Sequence, residues 1–164
     1  MYNTNEKKKK NNLSIITKNK KVYFKYKIEK EIEGSLSLKG WEVKSIKSGK
    51  IDISNSYISI NNNEAYLIGS VFQPLSNVSL IKKEDYKRNK KVLLHKFEIN
   101  KLLFKIKKEN CTIIALYLYW KRSIVKIKIG IAKGKKKYEK KNHIKKREWK
   151  INQSRIIKIK KKYN

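Results

Sequence analysis

The 164-residue sequence holds one cysteine, one proline and two histidines, and only 13 Asp and Glu stand against 44 Lys and Arg. A lone cysteine cannot close an internal disulfide, and with two histidines it cannot supply the four protein ligands of a structural zinc cage. Long apolar runs are missing too. The longest, Cys111 to Trp120, is about half of the roughly 20 residues needed to span a bilayer. Catalytic motifs are scarce: neither G-x-S-x-G nor G-x-G-x-x-G occurs. The stretch Gly130-Ile-Ala-Lys-Gly134-Lys135 is one residue short between its glycines for a phosphate-binding loop, and Lys136 stands where Ser or Thr would hold magnesium. Cys111 sits in an apolar strand pattern, which suits an inert buried thiol better than a nucleophile. Glu29, Glu31 and Glu33 alternate along one strand, but in so basic a chain they are expected to pair with Lys rather than act as acid and base. No metal and no cofactor is expected, and an enzyme is not.

What is present is charge. The formal net charge is +31, and 40 of the 44 cations are Lys, in company with abundant Asn and Ile, the skew of an AT-rich coding sequence. Even discounted for that, the surplus repels itself and makes a strong positive field, so a polyanionic partner is the natural inference. The basic start, Met1 to Lys10, is followed by only Leu13 to Ile16 as an apolar stretch, too short for an export signal. A cytoplasmic chain with no membrane partner, monomeric when free, is therefore expected.

Three parts follow from charge and pattern. Residues 1–12 read as a disordered basic N-terminus, 13–132 as the folding domain, and 133–164 as a basic tail in which 13 Lys and 2 Arg face 2 Glu. In the middle part, Val22 to Ile28 and Ser35 to Lys39 read as strands, and Trp41 to Ser48 as a short helix ended by Gly49. Ser56 to Ile60 and Ala65 to Phe72 read as strands joined by three Asn, which tolerate the left-handed backbone of a hairpin turn. Gln73 to Arg88 reads as a long loop. Phe97, Ile99, Leu102, Leu103 and Ile106 have helical spacing over about 96–109, stopped near Asn110. Thr112 to Trp120 and Ile124 to Ile131 form a last hairpin through Lys121 to Ser123. About six short strands without βαβ spacing predict a mainly β protein, a small antiparallel barrel.

Aromatic residues lie among the cations. Tyr23, Phe24 and Tyr26 interleave with Lys21, Lys25 and Lys27, while Tyr138 and Trp149 lie in the tail. Rings that stack on unpaired bases, flanked by Lys for phosphates, are how small barrels hold irregular RNA. A half-buried sheet with a solvated Lys face explains Tyr23 to Tyr26 equally well. In the tail, Ile144, Ile151 and Ile157 to Ile159 recur at roughly helical intervals. Such a segment frays in water and orders against a polyphosphate groove.

Several segments are specific enough to resemble a known family. Asn19-Lys-Lys, Leu36-Ser-Leu-Lys-Gly40-Trp-Glu-Val-Lys-Ser-Ile-Lys-Ser-Gly49, Asn55-Ser-Tyr57, Lys90-Lys-Val-Leu-Leu-His95, Thr112 to Trp120, and Lys126 through Ala132-Lys-Gly-Lys-Lys136 resemble the SsrA-binding protein family, also called small protein B, in order from about 13 to 159. The resemblance implies an oligonucleotide-binding-type β-barrel with a few short helices and a disordered or helical basic C-terminal tail. It implies an RNA-binding adaptor that binds the tRNA-like domain of transfer-messenger RNA and delivers it to stalled ribosomes for trans-translation. The tail would occupy the empty mRNA channel beside small-subunit rRNA, near the decoding centre.

Matching positions then acquire roles by resemblance. Asn19, Lys20, Glu33, Leu93 and His95 would belong to the RNA-binding face, with Lys44, Lys47 and Lys126 as phosphate contacts. Gly134, Lys135, Lys136, Tyr138, Glu139, Lys140 and Lys141 would meet the decoding centre, and Trp149, Ile156 and Ile157 would lie on the tail helix. Glu33 in a basic interface requires a specific partner, such as a base amino group or an ordering Lys. The chain departs from the family pattern at Glu139-Lys-Lys141 (commonly Asp-Lys-Arg), at Tyr138 (often His), at Gly34-Ser35 (expected Ala-Gly) and at Lys27 (often Phe). Two other classes fit the composition: a structural ribosomal protein, which would remain on salt-washed subunits one to one, and an RNA-modifying enzyme, for which no nucleophile, metal cage or cofactor loop is visible.

Overall fold

The computed structural model describes residues 14–75 and 83–163; the expected disordered segment 1–12 lies outside them, as do residues 76–82 of the expected loop. Nine strands and four α-helices follow in the order β1 (Ser14–Lys18), α1 (Val22–Lys25), β2 (Tyr26–Leu36), α2 (Gly40–Lys47), β3 (Ile51–Asp52), β4 (Tyr57–Asn61), β5 (Glu64–Ile68), β6 (Val71–Phe72), β7 (Lys90–Leu93), α3 (Lys96–Glu109), β8 (Thr112–Lys121), β9 (Ile124–Gly134) and α4 (Lys137–Tyr163). A single 3-10 turn, Lys83–Lys87, precedes β7.

Hairpin chemistry sets the local pairings. Asn62 and Asn63 at φ 49° and 60°, and Arg122 and Ser123 at φ 48° and 62°, supply the consecutive left-handed residues that a two-residue turn between twisted antiparallel strands needs. The first turn pairs β4 with β5 and the second pairs β8 with β9. Asn110, left-handed at φ 49°, ends α3 where the sequence places its stop.

Seven strands form one antiparallel sheet in the order β1-β8-β4-β5-β7-β2-β9, and β8 also pairs with β9, so the sheet closes on itself with β1 added along β8. The small β3–β6 ladder stands apart. The alternation in β9 puts Val125, Ile127, Ile129 and Ile131 into the core with Ile32, Leu36, Ile58, Leu67, Phe72, Val92, Ile113 and Leu118. A second cluster, Val22, Ile114, Leu116 and Ala132, lies under Tyr26, Ile28 and Tyr117. No helix among the described residues is long and apolar enough to cross a membrane.

Four local readings need correction. The expected strand Ala65 to Phe72 is two: β5 ends at Ile68, Gly69 turns left-handed at φ 75°, and β6 joins the small ladder with β3. The expected strand Val22 to Ile28 begins as the helical turn α1, because Val22 alone must reach the second core cluster while the chain leaves Asn19; the strand starts at Tyr26. The expected strand Ser35 to Lys39 is the end of β2, which stops at Leu36, although Leu38 still packs against the core. Phe97, expected on the buried face of α3, is 75% exposed, whereas Ile99 and Leu102 are buried. At 100° per residue Phe97 points about 200° away from Ile99, so it cannot share that face.

A buried ionic group ties α2 to β7. The Glu42 carboxylate is fully buried; it accepts the Lys39 backbone N–H at 2.6 Å and Arg88 Nη2 at 2.6 Å, and Lys90 Nζ lies 3.8 Å away. Lys90 is itself buried, donates to the Arg88 carbonyl at 2.9 Å and stands 4.2 Å from the Phe72 ring centroid. Burial pulls its ammonium down to about 8, against the pull of Glu42 in the other direction.

Candidate nucleic-acid interface

Strand β2 lies between β7 and β9, and its register puts Ser35 opposite both Leu93 and Lys126. Glu33, Gly34, Ser35, Leu93, Leu94, His95, Glu98 and Lys126 line an open recess of about 410 Å³ over this junction. Gly34 is what lets the strands meet there: a Cβ on it would lie 2.9 Å from Val92 Cγ1 and 3.3 Å from the Leu93 carbonyl.

Glu33 organises the floor. Its carboxylate accepts a hydrogen bond from the Tyr119 hydroxyl and one from Lys121 Nζ at 2.9 Å, with Lys126 Nζ at 3.9 Å. Lys126 Nζ in turn donates to Ser35 Oγ at 2.7 Å. The Tyr119 and Lys121 hydrogen bonds hold the Glu33 carboxyl below the ordinary 4.5, so it stays anionic at neutral pH. Burial first, then the bond to Glu33, pushes the Tyr119 phenol up, so it remains a donor. Glu33 therefore acts as a fixed anion that aims two ammonium groups. Leu93 beside it is 51% exposed, an apolar surface at the lip. His95 caps α3: its backbone N–H donates to Glu98 Oε2 at 3.0 Å.

The other expected contacts lie elsewhere. Asn19 is buried, with its backbone N–H on the Leu116 carbonyl at 2.7 Å and its Nδ2 on the Ile53 carbonyl at 3.1 Å. Its Oδ1 has no partner among the described residues, and it lines a second recess of about 240 Å³ with Lys21, Lys25, Tyr26, Ser56 and Tyr57. Lys20 is exposed beside it. Lys44 and Lys47 are exposed on α2. Sequence reasoning missed Tyr119, Lys121 and Ser35. Tyr119 was hidden in a continuous apolar run, although a tyrosine there carries a hydroxyl that must find a partner.

The basic tail is the helix α4, and its root is held by the barrel. Lys135 N–H donates to the Lys25 carbonyl at 3.0 Å and Lys135 Nζ to the Tyr23 carbonyl at 2.7 Å, while the Lys136 N–H donates to Glu139 Oε2 at 2.8 Å. Glu139 thereby satisfies a free N–H at the start of the helix and complements its dipole. Gly134 is the last residue of β9, paired with Tyr26. Lys141 is exposed and Lys140 half-buried, whereas Tyr138 (60%), Trp149 (65%), Ile156 (55%) and Ile157 (56%) present apolar surface to solvent.

The remaining acids and the thiol carry no chemistry of this kind. Glu29 sits at a bulge in β2 and pairs with Lys133 at 3.0 Å, far along the strand from the Glu33 group. Glu29, Glu109 and Cys111 place ligand atoms within 4.8 Å of one another, yet Lys105 and Lys133 already neutralise both carboxylates. Cys111 is buried, donates weakly to the Glu109 carbonyl at 3.7 Å, and burial raises its thiol further.

Comparison with known proteins covers both barrel and tail. A solved chain described as "tmRNA-SmpB: a journey to the center of the bacterial ribosome" is 33% identical, with a TM-score of 0.61 over 76% of this chain and 87% of that one. The model of the SmpB protein family matches residues 16–159, from β1 to the last turns of α4, and the chain belongs to that family.

Proposed function

We propose that this protein is an RNA-binding adaptor of trans-translation. It binds the tRNA-like domain of transfer-messenger RNA with its barrel and brings that RNA to stalled bacterial ribosomes, where α4 lies in the vacant mRNA channel near the decoding centre. The observation that carries the reading is that the family match runs unbroken through a closed barrel and a long cationic helix on which Tyr138, Trp149, Ile156 and Ile157 are exposed. A binding role suits the site: the Glu33 carboxylate is held as an anion by two hydrogen-bond donors, Tyr119 and Lys121, with the Lys126 ammonium 3.9 Å away.

Within this reading, Glu33 holds the Lys121 and Lys126 ammonium groups ready for RNA phosphates, and Leu93 and His95 form the lip over which the RNA lies. Asn19 and Lys20 form a second contact at the opposite end of β2, with Lys44 and Lys47 as outlying phosphate contacts. Gly134, Lys135 and Lys136 fix where the tail leaves the barrel. Tyr138, Glu139, Lys140 and Lys141 begin the part that meets the decoding centre, and Trp149, Ile156 and Ile157 are its apolar anchors.

The division of labour is tested by cutting the chain after Lys136, which keeps β9 and both Lys135 bonds to α1, on the Lys25 and Tyr23 carbonyls. The barrel alone should bind a tRNA-like RNA about as well as the whole chain and should fail to support peptide tagging on stalled ribosomes. Tagging by the truncated protein would refute the role of the tail, and equal affinity of the full chain for a tRNA-like RNA and a random polyanion would refute the adaptor reading.

A further inference from the structure

Helix α3 starts at the lip of the Glu33 recess and runs away from it across the surface of the barrel. Its inner face is accounted for by Ile99 and Leu102 in the core. Its outer face is not what a solvated helix face should be: Phe97 is 75% exposed and Phe104 55% exposed. Lys101 Nζ stands 5.9 Å from the Phe97 centroid, and Lys108 Nζ stands 5.1 Å from that of Phe104. The four residues follow one another at intervals of four, three and four, so at 100° per residue they fall within about 60° of arc and make a single stripe, ring, cation, ring, cation.

Neither carboxylate of α3 neutralises this stripe. Glu98 accepts the His95 N–H at the helix start, and Glu109 accepts Lys105 and Lys133 on the barrel side. Lys96, Lys101, Lys107 and Lys108 are all exposed. The surface is therefore cationic and aromatic, with two isolated rings rather than a contiguous aliphatic patch. That composition complements a chain of phosphates and planar bases better than an apolar protein groove or a bilayer, each of which wants a broad aliphatic face. The rings are two helical turns apart, about 10.5 Å, which accommodates two or three nucleotides of a partly stacked strand.

We infer that the outer face of α3 is a second RNA-binding surface, on which Phe97 and Phe104 stack unpaired bases and Lys101 and Lys108 take the adjoining phosphates. It is continuous with the recess, since Leu93 and His95 line that recess and Phe97 follows two residues after His95. The occupant is thus a single-stranded flank of the same RNA that the recess holds. This rests on the proposed function for the identity of the RNA, but not for its chemistry.

The test uses the full chain with the pairs F97L/F104L, which keep apolar surface but lose the rings, and F97Y/F104Y, which keep the rings. Both positions are exposed, so circular dichroism and thermal melting should match the wild type. Each protein is titrated with a tRNA-like RNA carrying its single-stranded flanks and with a single-stranded oligouridylate. The Leu pair should bind both on the order of thirtyfold more weakly and the Tyr pair should bind as the wild type does. Unchanged affinity of the Leu pair for both RNAs overturns the inference, and so does a Leu pair that binds RNA normally but associates less with ribosomal particles, which would assign the stripe to a protein. If the wild type shows no preference for the tRNA-like RNA while the Leu pair still loses oligouridylate, the stripe stands and the proposed function falls.

Discussion

Replacing Glu33 by Gln keeps the shape of the side chain and an oxygen for the Tyr119 hydroxyl, but removes the charge that Lys121 and Lys126 point at. Two effects of opposite sign follow. Any RNA should be attracted more strongly, because two ammonium groups lose a competing anion; the log–log salt slope on single strands should steepen by up to about 0.7 for one phosphate gained. The tRNA-like RNA should nevertheless bind less well, since Lys126 loses its orientation. A charge-assisted contact is worth about 1.5–3 kcal/mol, and with the Glu33 side chain 31% exposed the lower figure applies, roughly a tenfold loss. Fluorescence anisotropy at 50, 100 and 200 mM salt, with a tRNA-like RNA and an oligouridylate, separates the two. Acid provides a second axis. The folded Glu33 carboxyl titrates below 4.5, so its contribution is complete above that pH and disappears as pH falls through the lower, folded value. Wild-type discrimination should accordingly survive to pH 4.5 and then decline, whereas the Gln variant should show no such decline. A change of the same sign and size on both RNAs would refute the positioning role of Glu33.

Lys90→Met tests the buried ionic group. Lys90 titrates near 8 when folded and 10.5 when not, so between those values the folded chain binds fewer protons and its stability rises with pH. In urea unfolding the wild type should gain about 2 kcal/mol on the Met variant between pH 8 and 9.5, and parallel pH profiles would contradict the burial of a charged Lys90. Gly34→Ala places a methyl 2.9 Å from Val92 Cγ1 and 3.3 Å from the Leu93 carbonyl, so the buried Val92 side chain or β7 must shift. We expect a loss of about 1–3 kcal/mol of stability and a weaker tRNA-like complex at temperatures where the variant is still folded, and full RNA affinity would show that the β2–β7 spacing does not shape the recess.

How much of this was legible in the sequence depended on the range over which each residue is determined. The hairpins at Asn62-Asn63 and Arg122-Ser123, the stop at Asn110 and the alternation of β9 are local, and pattern alone found them. Phe97 was legible and misread: the spacing that put it with Ile99 fails once angles replace a tally of apolar positions. Val22 looked like strand because a four-residue turn leaves no period to detect. The recess and the ionic group could not be read at all from windows of the chain. Tyr119 meets Glu33 across 86 residues and Arg88 meets Glu42 across 46, and a buried lysine such as Lys90 is indistinguishable in sequence from its half-buried neighbour Lys91 until the partner is known. Family resemblance supplied Glu33, Leu93, His95 and Lys126 as one group, while the register of β2, β7 and β9 supplies the reason they are one.

That register also bears on how a chain of charge +31 stays folded. Seven of its 13 carboxylates are committed within the fold: Glu42 joins α2 to β7, Glu33 aims two lysines, Glu98 and Glu139 cap helices, Glu29 and Glu109 hold Lys105 and Lys133, and Glu64 holds Lys91. The anions position cations and do little to neutralise the surface, so the excess charge remains as mutual repulsion in the free protein and as attraction toward a polyphosphate in the complex. Salt should therefore act in opposite directions on the two. Raising it from 50 to 200 mM screens the repulsion and should raise the melting temperature of the free protein, while RNA affinity falls by about a thousandfold or more if some six phosphates are neutralised. If the free protein instead melted earlier as salt rose, the internal ion pairs would be what holds the barrel together, and the lysine surplus would have to be balanced within the fold and not by its partner.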